Sequence, residues 1–153
     1  MRVAANVDIA APPHDVFAFV TAPEHDPLWQ EAAISTVLAT PGPVRLGSEM
    51  AHVGKWLGMR VPTRAIVTAF EPNRLYGYDF TSRFGSSQMR YELEPVAGGT
   101  RLTLSTEAPL PSAMRPLTPL LRRNVLGMFS RDVQRLKAEI ERNLAVGTVQ
   151  NSH

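Results

Sequence analysis

Apolar and polar residues alternate at the start of the chain. From Val3 to Ile9 every second residue is apolar, which predicts a β-strand with one buried face. Pro12 and Pro13 end this strand, and proline suits the first turn of the helix that follows. A second short helix is predicted from Pro27 to Glu31, with Asp26 as its N-cap.

The same alternation returns in six later segments. Turns rich in proline, glycine and asparagine separate these segments from one another. In one of these segments the alternate residues from Val61 to Ala69 share a face. Seven strands joined mostly by short turns predict an antiparallel meander.

The C-terminal part changes its period. Between Leu121 and Leu144 apolar residues recur every three or four positions, which predicts one amphipathic helix of about six turns. A proline-rich loop from Pro109 to Pro119 leads into it, and Gly147 is expected to end it. The chain is therefore predicted to be an α+β domain over residues 1–146, followed by a disordered tail over 147–153.

Composition narrows the function classes. The chain has 153 residues and a net charge of +2. It contains no cysteine, which excludes disulfides and thiol chemistry. No apolar run approaches a membrane span, and Asp8 interrupts any signal peptide, so we expect a cytoplasmic protein. Residues 115–142 hold seven basic and three acidic residues but lack interleaved aromatics. This segment is interpreted as the solvated face of a helix, and no nucleic-acid partner is expected.

Five short motifs occur in an order that is typical of one superfamily. They are Ile9-Ala10-Ala11-Pro12 with Val16-Phe17, Ala22-Pro23-Glu24 through Trp29, Phe70-Glu71-Pro72-Asn73-Arg74-Leu75, Gly98-Gly99-Thr100-Arg101-Leu102 and Leu136-Lys137-Ala138-Glu139-Ile140-Glu141. With these motifs, residues 3–144 resemble the SRPBCC superfamily of START-like, helix-grip proteins, and within it the polyketide cyclase/dehydrase-like branch. The resemblance implies a seven-stranded curved sheet around a long C-terminal helix, with two short helices after the first strand. The motifs are structural and specify no reaction.

The resemblance also implies an apolar ligand cavity between sheet and helix. Its walls would come from inward-facing strand residues and from the long helix, although each of these side chains also suits an ordinary core. The predicted ligand-binding residues are Trp29, Met50, His52, Trp56, Met59, Tyr76, Tyr78, Met89, Tyr91, Val125, Met128 and Phe129.

The facing of one strand stays open at this point. Either Tyr76, Tyr78 and Phe80 face the interior, or Leu75 and Asp79 do, because a slip by one residue exchanges the two faces. Burial favours the aromatic side chains, whereas the family pattern often places the leucine inward.

Few residues offer chemistry. His52, Asp79 and Tyr91 are the candidate acids and bases, although a histidine at a strand end often has no chemical role. The four histidines lack the spacing of metal ligands, and no nucleotide or hydrolase motif is present, so neither a metal nor a cofactor is predicted.

The hairpin tip from Lys55 to Met59 is unusual because it carries Trp56 and Leu57 where polar residues are expected. It is interpreted as part of the cavity mouth, together with the Pro109 to Pro119 loop. Alternatively, Trp56 folds back onto the core or packs in a dimer.

Three functions follow from these observations. The first is binding or carriage of a hydrophobic small molecule, such as a lipid, an isoprenoid or a polyketide, by a monomer or homodimer. The alternative is a polyketide aromatase/cyclase-like enzyme that uses the same cavity. A weaker alternative is a partner-binding module that acts through the Trp56 hairpin tip.

Overall fold

The elements follow the predicted order. The structure, a computed structural model, describes the backbone of residues 1–56 and 58–151 and the side chains of residues 1–56 and 58–145. The elements are β1 (Arg2–Ile9), α1 (Pro13–Val20), α2 (Asp26–Trp29), β2 (Ala33–Leu38), β3 (Glu49–Trp56), β4 (Met59–Glu71), β5 (Leu75–Ser82), β6 (Gly85–Val96), β7 (Gly99–Glu107) and α3 (Thr118–Asn151). Short 3-10 helices at Pro23–His25 and Ser112–Leu117 precede α2 and α3.

The seven strands form one antiparallel sheet in the order β1-β7-β6-β5-β4-β3-β2. Strands β2 to β7 are a meander, and β1 joins the sheet beside β7. The two short helices connect β1 to β2, at opposite edges of the sheet, and the 34-residue α3 follows β7. The predicted α+β helix-grip fold is confirmed.

A bulge in β4 changes which residues face the interior. The register between β4 and β5 shifts between Val67 and Ala69. Val67 is buried, but after the bulge Phe70 turns inward and its ring lies 5.3 Å from that of Phe17. Ala69 is paired with Gly77 on the outer face. The prediction that the alternate residues from Val61 to Ala69 share one face is therefore wrong at Ala69.

The core lies between the inner face of the sheet and α3. The helix contributes a buried stripe at the predicted spacing, namely Phe129, Val133, Leu136 and Ile140. It runs closest to β1 and α2. Its backbone therefore lies nearest the β1 edge of the sheet.

Helix α2 is tied to α3 by polar contacts. The carboxylate of Asp132, itself buried, accepts a 3.0 Å hydrogen bond from the backbone N–H of Glu31. Arg131 and Arg135 each reach the Glu31 carboxylate, at 3.2 and 3.4 Å. These contacts hold the segment just after α2 against α3.

The long helix extends beyond both predicted limits. It begins at Thr118, three residues before Leu121, and continues through Gly147 to Asn151. The expected end at Gly147 is therefore wrong, and residues 152–153 of the predicted tail lie outside the described residues. Among the described residues, no helix combines the length and the apolar character that crossing a membrane requires.

Candidate functional site

Strands β5 and β6 line the interior with tyrosine rings. Tyr76 and Tyr91 are cross-strand partners with ring centroids 5.3 Å apart, and the Tyr78 ring lies 6.1 Å from that of Tyr91. The hydroxyl oxygens of Tyr78 and Tyr91 are 3.3 Å apart. Asp79 is exposed on the outer face, where it accepts a hydrogen bond from Thr68. The aromatic register is thus the one observed, and Asp79 cannot act as an interior acid.

Helix α2 faces these tyrosines. Gln30 Nε2 donates to the Tyr91 hydroxyl at 3.3 Å. The Trp29 ring meets Tyr91 edge to face at 6.1 Å and is 0% exposed. Among the described residues, its Nε1–H finds no acceptor, and it is the only buried side-chain nitrogen or oxygen in that state. A buried donor of this kind costs about 1–3 kcal/mol.

A second group of polar side chains lies at the start of α2. Thr36 and His52 are directly opposed on β2 and β3, and Thr36 Oγ1 lies 2.7 Å from His52 Nδ1. Asp26 is only 7% exposed and accepts a hydrogen bond from the Thr36 hydroxyl. Carboxylate, hydroxyl and imidazole therefore form a continuous chain.

Burial controls the ionisation of these groups. It raises the pKa of Asp26 from 3.8 to about 7, because the hydrogen bond from Thr36 only partly offsets the loss of water and nearby Glu24 adds repulsion. Burial lowers the pKa of His52, so the imidazole is neutral at pH 7. It raises the pKa of Tyr78 and that of Tyr91, and the charge of Asp26 adds to both shifts.

Asp26 begins α2 and Gln30 directly follows its last residue, so the two groups flank one short helix and are treated as one site. The charge of Asp26 also raises the pKa of Tyr78 and that of Tyr91. We call this site the interior polar cluster: Asp26, Trp29, Gln30, Thr36, His52, Tyr78 and Tyr91. Its hydroxyl groups are neutral donors, and its one acid changes charge near neutral pH.

A family described as polyketide cyclase/dehydrase and lipid transport matches residues 1–141. The chain belongs to this family. None of the curated proteins compared with the chain matches it.

Solved structures agree with the family's fold. A Thermus thermophilus protein superimposes with a TM-score of 0.71 at 17% identity, covering 94% of this chain and 99% of its own. A Chromobacterium violaceum protein gives a TM-score of 0.66 at 17% identity, covering 92% and 97%. A Mesorhizobium loti protein gives 0.68 at 18% identity, covering 93% and 98%. At these identities the likeness concerns the fold alone.

The other predicted residues of this family member divide into three groups: buried, half-buried and exposed. Met50 and Phe129 are buried in the core, and the Tyr76 hydroxyl donates to Met50 Sδ at 3.6 Å. Tyr78, Met89, Val125 and Met128 are half-buried side chains packed against that core. We call these four residues the rim.

Trp56 and Met59 lie apart from the interior polar cluster. Both are exposed at the β3–β4 hairpin tip, and the Trp56 ring contacts Phe84 with centroids 4.7 Å apart. Leu57 of the same tip lies outside the described residues. A separate groove of about 360 Å³ lies on the outer sheet face, beside residues such as Arg74, Glu92 and Arg101.

Sequence reasoning missed Asp26, Gln30 and Thr36 as site residues. Asp26 was expected to cap the second helix, but that helix begins at Asp26 and has no side-chain cap. The signal that could have identified it was a carboxylate next to a helix carrying a buried tryptophan. Among the described residues, no three ligand-type side chains gather into a metal site.

Proposed function

We propose that the protein binds a hydrophobic small molecule with its polar end at the interior polar cluster. The observation that carries this proposal is the buried Trp29 Nε1–H, which has no acceptor among the described residues. An indole N–H can only donate, so it calls for an oxygen acceptor. A ligand carbonyl or hydroxyl oxygen would remove the cost of the unpaired donor and contact Gln30 and Tyr91 beside it.

The electrostatics favour an uncharged ligand end. Asp26 is about half ionised near pH 7, and its charge would repel a carboxylate or phosphate nearby. Tyr78 and Tyr91 stay protonated and can donate to a neutral oxygen. A keto- or hydroxyl-bearing lipid, isoprenoid or polyketide fits these groups, and the family's description includes both polyketide cyclases and lipid transport.

The rim is the route by which such a ligand would reach the interior. Tyr78, Met89, Val125 and Met128 are half-buried and so touch both solvent and core. Methionine side chains adapt readily to irregular shapes. Each Å² of apolar ligand surface that leaves water would contribute roughly 25 cal/mol. In this proposal Trp56, Met59 and the Pro109 to Pro119 loop contact the ligand during uptake only.

Two measurements test the proposal. Native mass spectrometry of the protein purified from its own host should reveal a co-purifying apolar molecule. Titration with Prodan, an uncharged naphthalene ketone, should give saturable binding. Trp29→Phe and Tyr91→Phe should each weaken that binding about two- to ten-fold, since each removes one hydrogen-bonding group.

Tyr76→Phe is the matched control for the Prodan titration. It also removes one tyrosine hydroxyl, but that hydroxyl bonds the Met50 sulfur rather than the cluster. Its Kd should therefore match that of the unaltered protein. Equal Kd values for all three variants would refute the proposed position of the polar end.

A second function is supported by the Asp26–Thr36–His52 chain, namely the cyclase/dehydratase-like activity. A carboxyl group that titrates near neutral pH can take a proton and return it. Asp26 carboxylate would remove a proton from a methylene between two ligand carbonyls, and Tyr78 or Tyr91 would donate a hydrogen bond to the enolate oxygen. The enolate carbon would attack a further carbonyl carbon of the ligand to form the ring bond, and the protonated Asp26 would give its proton to the resulting alkoxide. Asp26 would then remove the remaining proton of the same carbon and return it to the departing hydroxyl, which forms the C=C bond and releases water.

Benzoylacetone, a small diketone, can serve as the probe for this second function. In deuterium oxide the protein should accelerate hydrogen–deuterium exchange at the central methylene of benzoylacetone, and Asp26→Asn should abolish this acceleration. Asp79→Asn, which alters an exposed carboxylate, should leave it unchanged. Exchange at the rate of buffer alone would rule the activity out for this class of substrate.

The cytoplasmic location and the monomeric or homodimeric state stay predictions.

A further inference from the structure

Two hairpin tips meet at one end of the sheet. The Trp56 ring of the β3–β4 tip lies edge to face with the Phe84 ring of the β5–β6 tip, at 4.7 Å and 69°. The Arg83 guanidinium carbon lies 5.0 Å from the Phe84 ring centroid, and its nitrogen lies 3.9 Å from Met59 Sδ. We call Lys55, Trp56, Met59, Arg60, Arg83 and Phe84 the tip patch.

The apolar side chains of the tip patch remain in solvent. Trp56 is 40% exposed, Met59 42% and Phe84 49%. Together they offer roughly 300 Å² of apolar surface, whereas each partner of a standard protein interface contributes about 800 Å². The patch is too small for a durable dimer but large enough to enter a lipid headgroup layer.

The charges of the tip patch all have one sign. Residues 55–60 and 82–87 contain Lys55, Arg60 and Arg83 and no aspartate or glutamate. Within the part of the chain that the structure describes, none of these three forms an ion pair, although eight ion pairs occur elsewhere.

Lys55 and Arg60 are also direct cross-strand partners. Like charges in this position destabilise a strand pair. The two side chains project from the same face of the hairpin, and an anionic surface would relieve their repulsion by bringing lipid phosphates and carboxylates next to them.

We propose that the tip patch docks the protein on the surface of an anionic lipid bilayer. Trp56 and Phe84 would enter the headgroup region, where tryptophan is enriched, while the three cations contact anionic lipids. The contact is peripheral and involves hairpin ends only. It does not depend on the interior polar cluster, so it can hold or fail independently of the proposed function.

Co-sedimentation with vesicles tests this docking. The protein should bind vesicles of phosphatidylcholine with about one-third phosphatidylserine, bind pure phosphatidylcholine much more weakly, and dissociate as salt rises. The triple variant Lys55→Gln/Arg60→Gln/Arg83→Gln should lose about 100-fold in partition coefficient, since each cation contributes about five-fold. Trp56→Ala/Phe84→Ala should lose at least about ten-fold.

Matched controls separate the tip patch from general surface effects. Leu46→Ala removes another exposed apolar side chain, and Arg122→Gln removes a cation of α3. Both variants should bind like the unaltered protein. Unchanged circular dichroism and melting temperature would show that the tip variants remain folded.

Three results would overturn the proposal. One is equal binding to both kinds of vesicle. Another is full binding by Trp56→Ala/Phe84→Ala. The third is a dimer in analytical ultracentrifugation that this double variant dissociates while vesicle binding is unaffected, because the patch would then contact a second copy of the chain.

Discussion

Replacing Asp26 by asparagine should stabilise the protein at and above neutral pH. The carboxyl group is 7% exposed, and burial raises its pKa from 3.8 to about 7. Asparagine has nearly the same shape and stays neutral. Its carbonyl oxygen can still accept the hydrogen bond from Thr36, so the substitution removes the buried charge with little other change.

The sign and size follow from proton linkage. In the folded protein Asp26 binds its proton more tightly than in the unfolded chain. Its contribution to stability is therefore complete below pH 3.8 and is lost as pH rises to about 7. The loss amounts to about 4 kcal/mol at pH 8 and about 1.5 kcal/mol at pH 5. The gain from Asp26→Asn should grow by about 2.5 kcal/mol between these two values.

Urea unfolding followed by circular dichroism at pH 5, 6, 7 and 8 measures this gain. Asp79→Asn is the control, because that exposed side chain should change stability by less than about 0.5 kcal/mol at every pH. A difference between Asp26→Asn and the unaltered protein that is the same at pH 5 and pH 8 would refute the reasoning.

His52 gives the unaltered protein an opposite dependence on pH. Burial lowers the pKa of its imidazole, so its contribution is present above pH 6.5 and is lost as pH falls below that value. Both proteins retain His52, and the difference between them therefore isolates Asp26. A gain in stability with a loss of exchange activity would also identify Asp26 as a group kept for function.

Other substitutions test the packing and the cluster. Leu136→Ala, which empties a fully buried position on α3, should cost about 2–5 kcal/mol in urea unfolding, whereas exposed Leu126→Ala should cost little. Gly99→Ala should cost more than about 2 kcal/mol, because its Cβ would overlap the backbone carbonyl of Ile9; hydrogen exchange should show β1 opening first. Thr36→Val removes the hydroxyl that donates to the buried carboxyl and should raise that carboxyl's pKa further, as carbon-13 NMR can measure.

Local patterns were sufficient to predict most of the fold. Alternation defines the strands, and the spacing from Leu121 to Leu144 defines the buried stripe of α3. The bulge between Val67 and Ala69 was not predictable in this way, because two apolar residues flank it and either could face inward. Gly147 was misleading for a similar reason, since a glycine near a helix end permits a stop without requiring one.

The site was predictable only where one element determines it. The inward orientation of the β5 tyrosines can be predicted from that strand alone, because burying its aromatic residues places Asp79 in solvent. The contact between Thr36 and His52 depends on the pairing of β2 with β3, which leaves no local pattern. Asp26 depends on how α2 sits against the sheet, and its position before Pro27 is equally typical of a helix cap.

The two tryptophans occupy the two places that the proposals concern. Trp29 is fully buried beside Tyr91, and Trp56 is exposed beside Phe84. Indole emission shifts to shorter wavelength in apolar surroundings, and an exposed indole is open to a soluble quencher such as iodide. Fluorescence of the unlabelled protein thus carries two separable reporters. Iodide-sensitive emission will follow Trp56 onto vesicles, and iodide-resistant emission will follow Trp29 as Prodan enters the interior.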